Sequence, residues 1–414
     1  VNAAGEVYVG GFFSGETDFD AGVAVSALVA VGQIDGFVAK FSVDGELVWA
    51  KAQGPASGQR MALTRQLGLD AAGNVYAVVV SLPLTANFDA AQGNTGLAVQ
   101  AGMETALSKF DAQGGAGWTQ RWSGPGGVMG SSLAVSSAGD VTLVGSFRGT
   151  VDFDAGTEVR AMTAAGESDG FILRVSAAGG HLWSQTVGGA GFDDVHAVAV
   201  DGSGAVYAGG AFYGSVDLDP GTGTQRHVAT EAGEEAYVLK LSAAGDYVWS
   251  KVLGGAADER VQGVAVDRVG DVYVAGYFGG VVDFDPGAGT AQVASAGGTD
   301  AYVLKLTTVG AIALDTQAPS VAAVTRQSPQ DAAAVASSVV YRVKFSREVS
   351  GVDAADFTLV LGVSLSGSIA GVAALSGTDY LVTVQSLAGS GPLRLDVKAS
   401  GTGIADQAAN ALSA

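Results

Sequence analysis

The sequence predicts an all-β fold made from one four-stranded unit used repeatedly, followed by a separate β-sandwich. Three observations carry this. A glycine-punctuated segment recurs five times at intervals of about 66 residues, strand-period patterning takes the place of any helical stripe, and the repeat stops abruptly near residue 315.

The 414 residues include 63 glycines but only 8 prolines, and 48% are hydrophobic against 15% charged. Disordered chains carry few apolar residues and collagen carries a strict Gly period with abundant proline, so both classes are excluded. With 21 basic and 41 acidic residues the net charge is −20, which repels phosphate backbones and anionic bilayers, so neither is expected as a partner. The absence of cysteine excludes disulfides, thiolate metal sites and thiol catalysis. Mean hydropathy is +0.32, yet the most apolar stretch, Val23 to Val31, has about nine residues where a spanning helix needs ~18. No membrane span is expected. Val1 opens directly into patterned sequence, and any signal peptide is expected to have been removed or to lie upstream.

The repeat shows as "GEVYVGG", "GNVYAVV", "GDVTLVG", "GAVYAGG" and "GDVYVAG", beginning at Gly5, Gly73, Gly139, Gly204 and Gly270. Self-similarity at a fixed period marks one supersecondary unit used many times. Within it, Val7, Val141, Val206 and Val272 are each followed by aspartate pairs: Asp18 and Asp20, Asp152 and Asp154, Asp217 and Asp219, Asp283 and Asp285. Further on comes an acid opening an apolar run that ends in a base, from Asp35–Lys40 to Asp300–Lys305. Then follow Trp49, Trp118, Trp183 and Trp249, with Leu314 in the fifth place. Each unit reads as four strands, exemplified by Val261 to Asp267, Asp271 to Phe278, Ala301 to Leu306 and Tyr247 to Leu253. Four antiparallel strands repeated radially describe a β-propeller blade, with a β-solenoid as the other architecture.

The order "VAVD..G.VYVAG", a "DFD.G" loop, "DAYVLKL" and "VWSKVLGG" resembles the seven-bladed β-propeller repeat family of bacterial secreted and surface proteins, over residues 1–315. Five blades are visible. "VNAAG" at Val1 aligns with "VDGSG" at Val200, so the first blade lacks most of its inner strand, which upstream residues or another subunit would supply. Residues 316–414 carry 6 basic and 7 acidic groups, so the acidity lies in the repeats. Strands are expected there at Val339 to Phe345, Asp356 to Gly362, Asp379 to Ser386 and Leu393 to Ala399, enough for one sandwich. "VKFSREVSGVDAADFTL" is similar to bacterial Ig-like domains of surface proteins.

The aspartate pairs are the candidate metal residues. In an extended segment, i and i+2 share a face about 6.6 Å apart, so "VDFD" turns Phe153 inward and both carboxylates outward. Hard oxygens before a glycine turn suit Ca²⁺; equally, such aspartates cap turn amides as Asx turns. The second unit departs from the pattern at Asn87, Phe88 and Asp89. The aspartate loops, with Asp193, Asp194, Asp258 and Glu259, are expected to form an acidic rim. The repeated tryptophans read as wedges between sheets, with Trp122 the better candidate for an exposed aromatic. His181, His196 and His227 show no ligand or triad spacing, no nucleophile elbow occurs, and no catalytic residue is assigned. The expected protein is a non-enzymatic extracellular or cell-surface protein of bacterial type, adhesive or structural, able to form fibres. Its partners would be other surface proteins, its own copies or glycans. The alternatives are a secreted polysaccharide-active enzyme or a glycan-binding module using the propeller face.

Overall fold

The computed structural model describes residues 1–22, 24–54, 60–83, 102–229, 233–255, 257–285, 290–307, 318–330, 336–398, 401–406 and 411–413. The chain divides into two compact units, Val1–Ile312 and Ala313–Ala414. Among the described residues the only helical turn is a single 3-10 turn, Ala354–Asp356, and no helix is long and apolar enough to cross a membrane.

The first unit is a succession of small antiparallel sheets, compatible with a β-propeller. The third repeat shows the pattern: Val128–Val135, Val141–Phe147, Asp169–Val175 and His181–Gly189 pair in that order. The second repeat runs Arg60–Leu69, Val75–Pro83, Glu104–Phe110, Ala116–Ser123, and the fourth Asp193–Val200, Val206–Tyr213, Glu234–Leu241, Tyr247–Leu253. The fifth has three described strands, Glu259–Val266, Val272–Asp283 and Gln292–Leu306. The first has three also, and among the described residues its leading strand Val7–Phe13 pairs only with Asp35–Phe41.

Turns follow from chemistry read in the sequence. At Asp201 to Ala205 the aspartate carboxylate accepts from the amides of Ser203 and Ala205 at 2.9 and 3.0 Å. The chain then reverses at Gly204, whose φ of 85° an L side chain rarely adopts. Second and third strands lie between neighbouring sheets, so they are apolar on both faces: every residue of Val141–Phe147 and of Asp169–Val175 is buried. Each Val, Leu or Phe so enclosed contributes about 1.5–3 kcal/mol.

One element was not expected. Between the second and third strands the chain makes a short hairpin where the sequence suggested a loop: Glu16–Asp18 with Ala27–Val29, Thr150–Asp152 with Ala161–Thr163, and Ser215–Asp217 with Arg226–Val228. In the fifth repeat the main strands simply continue, pairing Asp283 with Gln292.

In the second compact unit Val321–Ser328, Val339–Phe345, Asp379–Gly389 and Leu365–Ala374 form one sheet, and Phe357–Leu361 with Leu393–Val397 another. Val343, Phe345, Phe357, Val382, Val384 and Leu395 share their core. Leu365–Ala374 and Val321–Ser328 escaped the sequence reading because glycine and alanine dilute their alternation.

Candidate functional site

The eight aspartates proposed as metal ligands sit at the hairpin tips, where their carboxylates fold the chain. Asp18 Oδ1 accepts from the amides of Asp20 and Ser26 at 3.0 and 2.9 Å, and Asp152 Oδ1 from Asp154 and Arg160 at 3.0 and 2.8 Å. Asp217 and Asp283 do the same with Asp219 and Gln225, and with Asp285 and Ala291. Asp20, Asp154 and Asp219 accept in turn from Gly22, Gly156 and Gly221. These are consecutive Asx turns. The residues between them, Phe153, Leu218 and Phe284, are buried, as the alternation required. Among the described residues no three His, Asp or Glu side chains gather as a metal-ligand set. Asn87, Phe88 and Asp89 lie outside the described residues.

The repeated tryptophans join each repeat to the next. Trp49, Trp118 and Trp183 donate through Nε1 to the carbonyls of Ala112, Ala177 and Ala243, in the following repeat's last turn, at 3.3, 3.1 and 3.1 Å. A methyl at Gly179 would come within 2.9 Å of the Trp118 ring, so the turn must be glycine. The repeated bases work the same joint. Lys40 and Lys109 donate to Ala112 and Ala177, and lie over the rings of Tyr8 and Tyr76. Trp122 corrects an expectation. It is 2% exposed, and its indole donates to the Phe153 carbonyl at 3.0 Å, because the next repeat's hairpin closes over it.

The acidic rim is corrected as well. Asp193 and Glu259 are buried, 1% and 0% exposed, and not part of a charged face. Each instead caps the loop four residues earlier, accepting from the amides of Gly189 and Gly255 at 2.7 and 2.9 Å. Asp169 holds the Ala165 amide likewise. The second oxygens of Asp169, Asp193 and Glu259 have no hydrogen-bond partner among the described residues. Burial, with Asp169 and Asp194 beside it, pushes the Asp193 carboxyl up to about 7. Burial, with Glu235 and Asp258 beside it, does the same to Glu259, also up to about 7.

The first strands share one irregularity. There the pairing slips by one residue in four successive repeats, at Arg65, Ser131, His196 and Gln262. A bulge leaves one residue unpaired and re-aims its side chain. All four stand ten residues before the valine that opens the next strand, Val75, Val141, Val206 and Val272. This column changes from cation to hydroxyl to imidazole to amide, and the column two residues earlier changes as well, from Leu63 and Met129 to Asp194 and Arg260.

Beside this column lies an ionic network. Arg260 donates to Asp194 at 2.8 Å and to both oxygens of Glu234 at 2.6 and 3.1 Å. Its Nη1 is also 3.0 Å from His196 Nε2. Tyr277 donates to Glu234 at 2.9 Å, and Tyr237 to the Asp194 carbonyl at 2.8 Å. Burial alone would lower the Arg260 pKa; the Asp194 and Glu234 carboxylates overcome it and hold the guanidinium charged. Arg65 has no such support. Its Nε and Nη1 are buried without a partner among the described residues, and burial pushes its guanidinium down to about 10. His196 is held below its ordinary value by burial and by the charges of Arg260 and Arg65, against the pull of Asp194. Side chains of the fourth and fifth repeats therefore meet at His196 and Arg260, and the charge of Arg65 in the second repeat reaches His196. Sequence reasoning passed over this set, although polar and charged residues that change from repeat to repeat on the first strands, such as Arg65, His196, Asp194 and Arg260, were a signal it could have used.

The class that fold and site define is an all-β repeat protein compatible with a β-propeller, with a variable polar column on its first strands. No family model matches the chain. It is similar to an uncharacterized WD repeat-containing protein of Acanthamoeba polyphaga mimivirus, 28% identical over 164 residues, covering 37% of this chain and 11% of that protein. It is also similar to regulatory protein FlaEY of Caulobacter vibrioides, 26% identical over 192 residues, covering 45% of this chain and 19% of that protein. The chain thus spans less than a fifth of the length of either. A crystal structure of a protein of unknown function from Bacteroides caccae aligns over 73% of this chain and 92% of that chain, at 9% identity and a TM-score of 0.32.

Proposed function

We propose that the chain is a non-enzymatic scaffold of the bacterial cell surface, a β-propeller with five visible blades followed by an Ig-like sandwich, serving adhesion or assembly. The observation that carries this reading is the use of the repeated side chains. Trp49, Trp118, Trp183, Lys40 and Lys109 all join one repeat to the next, which stiffens the array and leaves its loops to meet partners. The Val7–Phe13 edge supports assembly: it pairs on one side only and exposes Val7 and Val9, and such edges recruit strands from other chains. Partners on this reading are other surface proteins, further copies or glycans.

The test is retention on the immobilised chain. Bacterial cells, polysaccharides and a second copy of the chain are passed over it, and the eluates are analysed for released sugars. Retention without product supports a scaffold, whereas turnover of any polysaccharide overturns it. A second reading, glycan binding, is favoured by an open cleft of about 590 Å³ in which Trp183 and His181 lie with Asp154, Glu158 and Arg160.

A further inference from the structure

The bulge column presents hydrogen-bond donors that no group among the described residues accepts. Arg65 contributes two buried nitrogens, Nε and Nη1, and Ser131 its buried hydroxyl. For His196 the tautomer follows from its neighbour. A guanidinium nitrogen can only donate, so His196 Nε2, at 3.0 Å from Arg260 Nη1, must accept. The proton of the neutral ring then sits on Nδ1, which is buried and has no partner. Three groups from three successive repeats thus present donors, and no acceptor among the described residues answers them. Arg260 is different: two carboxylates already neutralise it.

Leaving a guanidinium buried without a countercharge is costly, and removing such a charge often stabilises a fold. An arrangement that keeps it, beside a hydroxyl and an imidazole that also lack partners among the described residues, is what a binding site requires. Donors without acceptors, one of them cationic, select an acceptor-rich anion, and a guanidinium matches carboxylate and phosphate oxygens especially well.

We propose that the first-strand bulges form a binding site for a small oxyanion, the carboxylate or phosphate group of a soluble ligand, anchored by Arg65 with Ser131 and His196 donating beside it. Gln262, exposed at the fourth bulge, offers an amide to the rest of the ligand. The proposal does not rest on the adhesion reading, since oxyanion binding and partner retention are measured separately.

The test uses the full chain in a chloride buffer, titrated calorimetrically with inorganic phosphate and separately with glucuronate. Heat with phosphate alone assigns the site to phosphate groups, and heat with glucuronate assigns it to carboxylates. Arg65→Met should weaken binding by about tenfold to a hundredfold, the loss of one charge-assisted contact, while its melting temperature stays equal to that of the wild type or rises. Arg394→Met, which removes an exposed arginine of the second compact unit, should bind as the wild type does. The proposal is overturned if neither probe binds, if Arg65→Met binds as tightly as the wild type, or if Arg65→Met melts lower, which would show that the guanidinium serves the fold.

Discussion

Asp193 and Glu259 make the stability of the repeat unit depend on pH in an unusual direction. Both carboxyls are buried with one oxygen unpartnered and have folded values of about 7, against ordinary values of 3.8 and 4.5. The native state therefore holds protons that the unfolded chain has released, and stability falls as pH rises through 7. Between pH 5.5 and pH 8 each group accounts for about 2 kcal/mol, at about 1.4 kcal/mol per decade of proton concentration. His196 and His227, both held below the ordinary histidine value chiefly by burial, act oppositely below about pH 6.5, so the wild-type profile alone mixes two effects. The double variant Asp193→Asn, Glu259→Gln separates them, because each amide oxygen can still accept from Gly189 or Gly255 while carrying no charge. The variant's lead over the wild type should grow by about 4 kcal/mol between pH 5.5 and pH 8, the range in which the wild-type native carboxyls ionise. For Val1–Ile312, unfolding with about 0.65 kcal/mol per kelvin of entropy, that is about 6 °C. All five tryptophans lie in this unit, so intrinsic fluorescence melts report it selectively. A difference between variant and wild type that is the same at both pH values would refute the reasoning.

Three further outcomes follow from the same geometry. Trp122→Ala should cost about 3–5 kcal/mol in urea unfolding followed by circular dichroism, and Trp122→Phe about 1–3 kcal/mol, because the Phe153 carbonyl loses its donor. Asp152→Asn should keep its Asx turn and melt like the wild type, whereas Asp152→Ala should cost about 1 kcal/mol; an asparagine variant as unstable as the alanine one, with calcium-dependent melting of the wild type, would instead point to a bound cation. Arg260→Met should cost about 3–5 kcal/mol by strandings of Asp194 and Glu234, and equal stability in chemical denaturation would contradict the ionic network described.

Much of this fold was legible because it is local. Glycine at a fixed place in each turn, alternation in each strand and the tryptophan spacing are contained within one repeat, and the strands at Val339–Phe345 and Tyr247–Leu253 stand where the pattern put them. What could not be read depends on partners distant in sequence. An aspartate opening a strand looks the same whether it meets water or, like Asp193, turns back to its own preceding loop. Trp122 stood out of register and so looked exposed; the hairpin that covers it begins at Thr150, in the following repeat. The bulges are invisible for a related reason: His196 becomes the extra residue only because Val195 and Ala197 pair with adjacent glycines, Gly210 and Gly209, across the sheet.

The repeated tryptophan and lysine joints between repeats point one way. Tryptophan, lysine and glutamine side chains of one repeat reach backbone carbonyls of the next, and the strand His181–Gly189 pairs with the following hairpin at Ser215–Asp217. Each repeat is thus completed by its successor, and the array has a polarity that its near-identical modules do not suggest. On the ribosome, which releases the amino-terminal end first, a repeat would wait for the following one to emerge before its outer strand could be fastened. Removing a repeat from the carboxyl side would likewise unfasten the one before it, whereas removal from the amino side would leave the outer strand of the adjacent repeat clasped.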